Sequence, residues 1–168
     1  MLDRPYNVLF ICRHNTARSQ MAEALLRSVS KRRFIAYSAG TEPATSIHPL
    51  TLETVRNAGL PIDDLAPKGV ELFCGADAPP LDFAFTMCDD MEQCPAALTG
   101  GPLRAHWPFP DPLQASGTHA QQAAVFAEVF RMIRRRVELF VELPVERLGR
   151  LALQRHMDGI GQDAAALS

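Results

Sequence analysis

Residues 8–19 read VLFICRHNTARS: an apolar run ends in Cys12, and after five intervening residues come Arg18 and Ser19. Tyr6–Ile11 is short and rich in β-formers, whereas Gln20–Val29 is rich in helix formers. The pattern predicts a strand, a turn over Cys12–Ser19, and a helix. Amide groups at a helix N-terminus have no intrahelical partner and point at whatever the turn encloses, which suits a tetrahedral oxyanion. The candidate anion-binding residues are therefore Arg13, His14, Asn15, Thr16, Ala17 and Arg18. The same field, with Arg18, favours a thiolate at Cys12 over a thiol. Arg18 lies far enough along for the chain to curl around an anion and return a planar guanidinium to two of its oxygens. Ser19 can donate its hydroxyl to the sulfur, and Asn15 tolerates the left-handed backbone that an anion nest often requires. Taken alone, Cys12 would pass for a small buried hydrophobe at a strand end. Its place between a strand and a helix is what favours a nucleophile.

The chain has 168 residues, one domain's worth of material and enough to bury a substantial core. A formal charge of −2 lends nucleic-acid binding no bulk electrostatic support. No stretch approaches a membrane span, and Asp3 and Arg4 interrupt the start, so no apolar leader is expected. Four cysteines in such a chain point to a reducing cytoplasm, where cysteines are more often catalytic or metal-binding than structural.

Apolar and helical segments alternate along the chain. Tyr6–Ile11, Phe34–Ser38 and Asp82–Met87 read as strands. His48–Ala58 reads as a helix, with Pro49 at the first helical position and Gly59 just past the end. Thr118 and Gln121 form a capping box for a long helix whose apolar face comprises Val125, Phe126, Val129, Phe130, Ile133, Val137, Phe140 and Val141. Arg131, Arg134, Arg135 and Arg136 are expected mostly on its solvated side. The alternation indicates a parallel sheet flanked by helices, with ligands beyond the carboxyl ends of the strands. Residues 144–168 combine Leu148, Leu151, Leu153, His156 and Met157, which suggest another helix, with Gly159 and Gly161, which suggest fraying.

Cys88 and Cys94 stand in MCDDMEQCP, a spacing compatible with packing or with half a metal site. His106 could join them at zinc, but a lone histidine before a tryptophan is more often hydrogen-bonded in the fold, so no metal is assigned. Asp89, Asp90, Glu92 and Gly100-Gly101 suit an exposed, pliable loop. Cys74, after Val70, Leu72 and Phe73, reads as a packed core cysteine.

The segment VLFICRHNTARSQMAEALL, Val8–Leu26, resembles the active-site start of the low-molecular-weight tyrosine phosphatase superfamily, especially its arsenate reductase branch. Further matches are YSAG at Tyr37–Gly40, TMCDD at Thr86–Asp90, Cys94-Pro95, and AHWPFPDP at Ala105–Pro112. Together they span roughly Asn7 to Leu143 in order. The resemblance implies a single α/β domain with a central four-stranded parallel sheet, residues 1–143, and a C-terminal helical extension or tail, residues 144–168. It also implies a three-thiol relay. Cys12 attacks arsenate, Cys88 attacks the covalent adduct and releases arsenite, and Cys94 moves the resulting disulfide outward to thioredoxin. The cysteine spacing is one residue shorter than in the better-known thioredoxin-coupled members, and Ala17 stands where many carry cysteine or glycine. Some relatives instead use a low-molecular-weight thiol with glutaredoxin-like or mycothiol-dependent help.

Asp111 is the candidate general acid, since Pro108, Pro110 and Pro112 restrict its backbone and the superfamily's acid precedes a proline in such a loop. No tightly bound cofactor is implied. Some members bind potassium near the phosphate loop, and Asn15, Glu23 and Ser38 match positions involved, but the acidic position expected near Lys68–Val70 is not evident and no ion is assigned. The same thiolate, Arg18 and Asp111 would serve a phosphatase acting through a phosphocysteine, with phosphate or sulfate as competing oxyanions. Leu113, Gln114 and Ala115 follow Asp111-Pro112 where tyrosine phosphatases present aromatic residues, which favours reduction. A non-catalytic oxyanion sensor is a third class, but a sensor would not need the acid.

Overall fold

The structure is a computed structural model and describes residues 4–30, 32–87 and 97–166. Four strands, β1 (Tyr6–Cys12), β2 (Phe34–Gly40), β3 (Phe83–Thr86) and β4 (Leu103–His106), form one sheet in the order β2-β1-β3-β4. Every pairing is parallel. Helices α1 (Arg18–Val29), α2 (Pro49–Asn57), α3 (His119–Val141) and α4 (Arg150–Ala166) accompany it. The expected architecture is present, a four-stranded parallel sheet flanked by helices.

β1 reads as a continuous apolar run because both of its faces are covered. Val8 and Phe10 join the larger core, with Met21 and Leu25 of α1 and Ile133, Val137 and Phe140 of α3. Leu9 and Ile11 face a smaller cluster with Val70, Phe73, Leu81 and Leu98. Pairing of Cys12 with Gly40 carries β1 and β2 beyond the apolar residues that marked them in the sequence. β4 is short, and its apolar residues alternate with half-buried Arg104 and His106, so it carried no distinct strand pattern.

The helix signals hold. Pro49 opens α2, His48 caps it by accepting the Leu50 amide on Nδ1 at 3.1 Å, and Gly59 follows at φ 79°. Thr118 and Gln121 form the capping box of α3 reciprocally, at 3.1 and 2.8 Å. Three expectations change. Val125, expected on the apolar face of α3, is exposed near the first turns of the helix. Arg131, Arg134 and Arg135 are exposed, but Arg136 is completely buried. The glycines of the tail do not break its helix, because α4 runs through Gly159 and Gly161. α4 buries Leu153, Met157 and Ile160 in the main core, and its Gln154 Nε2 donates to Arg104 O at 2.6 Å, covering the edge strand.

The chain leaves β1 for β2 on one side and later enters β3 on the other, so the strand order reverses between β1 and β3. Such a switch point opens a crevice beyond the strand ends. Cys12 closes β1 there, Met87 follows β3, and the Trp107–Asp111 segment follows β4.

Candidate active site

Between β1 and α1 the backbone turns its carbonyls outward. Cys12 O, Arg13 O, His14 O and Thr16 O accept from the amides of Thr41, Glu42, Ala44 and His48, at 3.1, 2.8, 3.1 and 3.3 Å. Asn15 O accepts from Gln20 Nε2 at 3.0 Å. The structure has no cis peptide bond among its described residues, so each amide points opposite the carbonyl of the preceding residue. Tethering the carbonyls of residues 12–16 on the outside therefore directs the amides of residues 13–17 inward, beside the N-terminus of α1. Asn15 makes the required bend at φ 56°. Gly40 permits the close approach of β2, because a Cβ there would lie 2.6 Å from Arg13 O and 3.1 Å from Asn15 N.

The Cys12 sulfur is approached through Asn15. Its Oδ1 accepts from the Lys68 amide at 2.9 Å and from Gln20 Nε2 at 3.0 Å, which leaves Nδ2 to donate to Ser19 Oγ at 2.7 Å. With that lone pair taken by a donor, the Ser19 hydroxyl hydrogen is directed to its other neighbour, Cys12 Sγ, at 2.7 Å. Asn15, Ser19 and Gln20 are fully buried, and Cys12 is 4% exposed.

Arg18 closes the other side. Its Nη1 donates to Phe109 O at 3.0 Å and Met87 O at 3.3 Å, while Nη2 lies 3.8 Å from Asp111 Oδ2. Asp111 Oδ1 accepts from the Leu113 amide at 3.0 Å, capping the short 3-10 turn Pro112–Gln114. That bond and the flanking prolines hold the Asp111 side chain beside Arg18. The remaining loop residues face outward contacts: Arg13 pairs with Glu42 at 3.1 Å, and His14 Nδ1 bonds Glu42 O at 3.0 Å.

Glu23, 2% exposed, lies behind the loop. Ser38 Oγ donates to its Oε1 at 3.1 Å, Arg27 Nη2 meets Oε2 at 3.0 Å, and Lys68 Nζ is 3.6 Å from Oε1. Lys68 Nζ also donates to Ala66 O at 2.7 Å. Two tethered cations therefore already neutralise this carboxylate, and the Asn15 carbonyl oxygen is filled by two donors. These residues do not fit a resident potassium ion. No group of three or more His, Cys, Asp or Glu among the described residues is arranged to hold a metal.

The structure thus brings Cys12, Arg18, Ser19 and Asp111 together around one loop. Cys88 and Cys94 lie outside the described residues. Cys74 is a half-buried free thiol whose Sγ donates to Val70 O at 3.5 Å, and His106 Nδ1 bonds Thr86 Oγ1 at 3.0 Å. Reading the sequence missed Gln20, Gly40, Lys68 and Arg136. Arg136 alone carried a local signal, since it falls on the stripe Val129, Ile133, Arg136, Phe140 at spacings of four, three and four.

The chain is 33% identical over 137 residues to an arsenate reductase of Shouchella clausii, covering 80% of this chain and 94% of that protein. An arsenate reductase of Bacillus subtilis is 31% identical over the same shares. Among solved structures, an arsenate reductase from Archaeoglobus fulgidus superposes with TM-score 0.58 at 30% identity, covering 78% of this chain and 98% of that one. The thioredoxin-dependent arsenate reductase of Corynebacterium glutamicum gives 0.54 at 29% identity, with 83% of this chain matching 65% of that one. The family model described as low molecular weight phosphotyrosine protein phosphatase matches residues 7–151, from β1 to the first turn of α4, and the chain belongs to that family.

Proposed function

We propose that this chain reduces arsenate to arsenite with Cys12 as the nucleophile. The observation that carries the reading is the directed chain Asn15 to Ser19 to Cys12 at the base of a loop whose amides face inward. The arsenate reductase relatives select the oxyanion. The inward amides and Arg18 hold the arsenate oxygens, and their positive field grows more favourable as charge gathers on them in the transition state. The Cys12 thiolate forms a bond to As(V), and one arsenic–oxygen bond breaks. Asp111 gives that oxygen its proton, so it leaves as water.

Cys88 then attacks the Cys12 sulfur. A disulfide forms, the sulfur–arsenic bond breaks, and its electron pair stays on arsenic, which departs as As(III). Cys94 attacks Cys88, freeing the Cys12 thiolate and leaving a Cys88–Cys94 disulfide, which a thioredoxin dithiol reduces. These two roles rest on the resemblance of the Thr86–Pro95 segment. The reaction as written needs no bound cofactor, and a thioredoxin reductant supports a cytoplasmic location. No helix among the described residues is long and apolar enough to cross a membrane.

Hydrolysis of an aryl phosphate is the second reading, favoured by family membership, because the same loop, thiolate and acid would serve it.

The test is NADPH consumption with thioredoxin and thioredoxin reductase, comparing arsenate with equal phosphate and with a glutaredoxin system. Arsenate-dependent consumption is expected with thioredoxin, absent from Cys12→Ser. Cys88→Ser should capture arsenic covalently without releasing arsenite, and Cys94→Ser should stop after one turnover. Multiple thioredoxin-driven turnovers by Cys94→Ser would remove Cys94 from the relay. No consumption with either reductant, beside rapid aryl phosphate hydrolysis, would replace reduction by the phosphatase reading.

A further inference from the structure

Arg136 is fully buried on α3. Its Nη1 donates to Pro108 O at 2.6 Å, and its guanidinium carbon lies 3.9 Å from the centre of the Phe109 ring. Nε and Nη2 have no hydrogen-bond partner among the described residues. Burial pushes its pKa down from the ordinary arginine value to about 10. A buried, incompletely paired cation is a poor device for stability, since desolvation opposes its few contacts.

Its position indicates another role. Pro108 O and Phe109 O are consecutive carbonyls, the first held by Arg136 from α3 and the second by Arg18 from the phosphate loop. Two residues further on is Asp111, 3.8 Å from the same Arg18. At the other end of the segment, Trp107 Nε1 donates to Met157 O of α4 at 3.0 Å. The backbone leading to the Asp111 side chain is thus pinned from behind, with Arg136 a charged anchor on the core side.

We propose that Arg136 is a positioning residue for Asp111: it fixes the Pro108–Phe109 backbone so that the carboxyl stays over the bound oxyanion. This rests on Asp111 being the general acid.

The test is a double-mutant cycle with Arg136→Met, Arg136→Lys and Asp111→Asn, read as kcat and KM for arsenate in the thioredoxin-coupled assay. Arg136→Met should lower kcat by about tenfold, part of the factor of about a hundred or more that a positioned acid supplies, while KM changes much less. Arg136→Lys keeps a donor for Pro108 O and should recover part of the loss. In the Asp111→Asn background, Arg136→Met should cost less than about twofold more, because both changes disable one step. Equal losses in both backgrounds, or wild-type kcat in Arg136→Met, would overturn the proposal. If Arg136→Met does not fold, Arg136→Lys decides by the same criterion. Unchanged kcat in Asp111→Asn would overturn the acid assignment, whereas a slow Asp111→Asn beside a fully active Arg136→Met would overturn only the positioning role. If the wild type hydrolyses an aryl phosphate but does not reduce arsenate, the same cycle is read on that hydrolysis, where the acid protonates the leaving phenolate.

Discussion

Asn15→Ala removes three buried hydrogen bonds at once: Nδ2 to Ser19 Oγ, and those that Oδ1 accepts from Lys68 N and Gln20 Nε2. At about 1 kcal/mol net for each, their loss costs about 3 kcal/mol. The left-handed backbone at φ 56° adds about 1 kcal/mol for alanine, which lacks the local tolerance of asparagine. The total, about 4 kcal/mol, corresponds to a melting temperature lower by about 8–16 °C for a chain of this length. Asn15→Gly loses the same side-chain bonds but adopts the backbone freely, so it should melt about 2–4 °C above the alanine variant. Both variants release the Ser19 hydroxyl from its fixed direction. Alkylation of Cys12 by iodoacetamide, followed by mass spectrometry of its peptide, should therefore slow to a similar extent in the two. If Asn15→Ala melts within about 2 °C of wild type and alkylates at the wild-type rate, the directed chain from Asn15 to the sulfur is refuted.

Turnover should be the same in potassium and tetramethylammonium salts at equal ionic strength, because Lys68 and Arg27 already neutralise Glu23; Lys68→Met should be slower and regain activity with potassium. A potassium requirement in the wild type would refute that account. The two α4 glycines should respond with opposite sign in a thermal melt. Gly159→Ala meets nothing within 4 Å and should gain up to about 1 kcal/mol of helix propensity. Gly161→Ala places a Cβ 2.7 Å from His106 O and should lose about 1–3 kcal/mol. Arg136→Met should change urea stability at pH 7 by only about 1 kcal/mol, because relief of a desolvation cost of about 3 kcal/mol offsets the lost hydrogen bond and ring contact. Above about pH 10 the folded wild type sheds this proton while the unfolded chain, with the higher ordinary arginine value, keeps it. Stability of the wild type relative to Arg136→Met should then rise with pH, and the reverse trend would refute the burial cost.

The strand, loop and helix from Tyr6 to Val29, the caps at Pro49 and Thr118, and the cluster of Cys12, Arg18 and Ser19 were all legible in sequence. Each depends on residues within a turn or two of one another, where backbone preference and hydrogen-bonding reach are set locally. β4 was not marked by its own pattern, and the apparent helix breakers of the tail misled. Gly161 lies in α4 because His106 O and the Trp107 ring leave no room for a side chain, a demand made by residues more than fifty positions earlier. Arg136 fell on the apolar stripe of α3 among a run of arginines, but nothing near it in sequence reveals that Pro108 O and the Phe109 ring await it.

What the chain's order of residues determined by itself was the candidate nucleophile, the loop proposed to bind the anion and the parallel architecture that places them at a strand end. Only the tertiary structure decided the direction of the Ser19 hydroxyl, the internal neutralisation of Glu23 and the anchoring of the segment that carries Asp111. Those features join groups such as Asn15 with Lys68 and Pro108 with Arg136, which are distant along the chain. Their geometry is set by packing, which no local preference encodes.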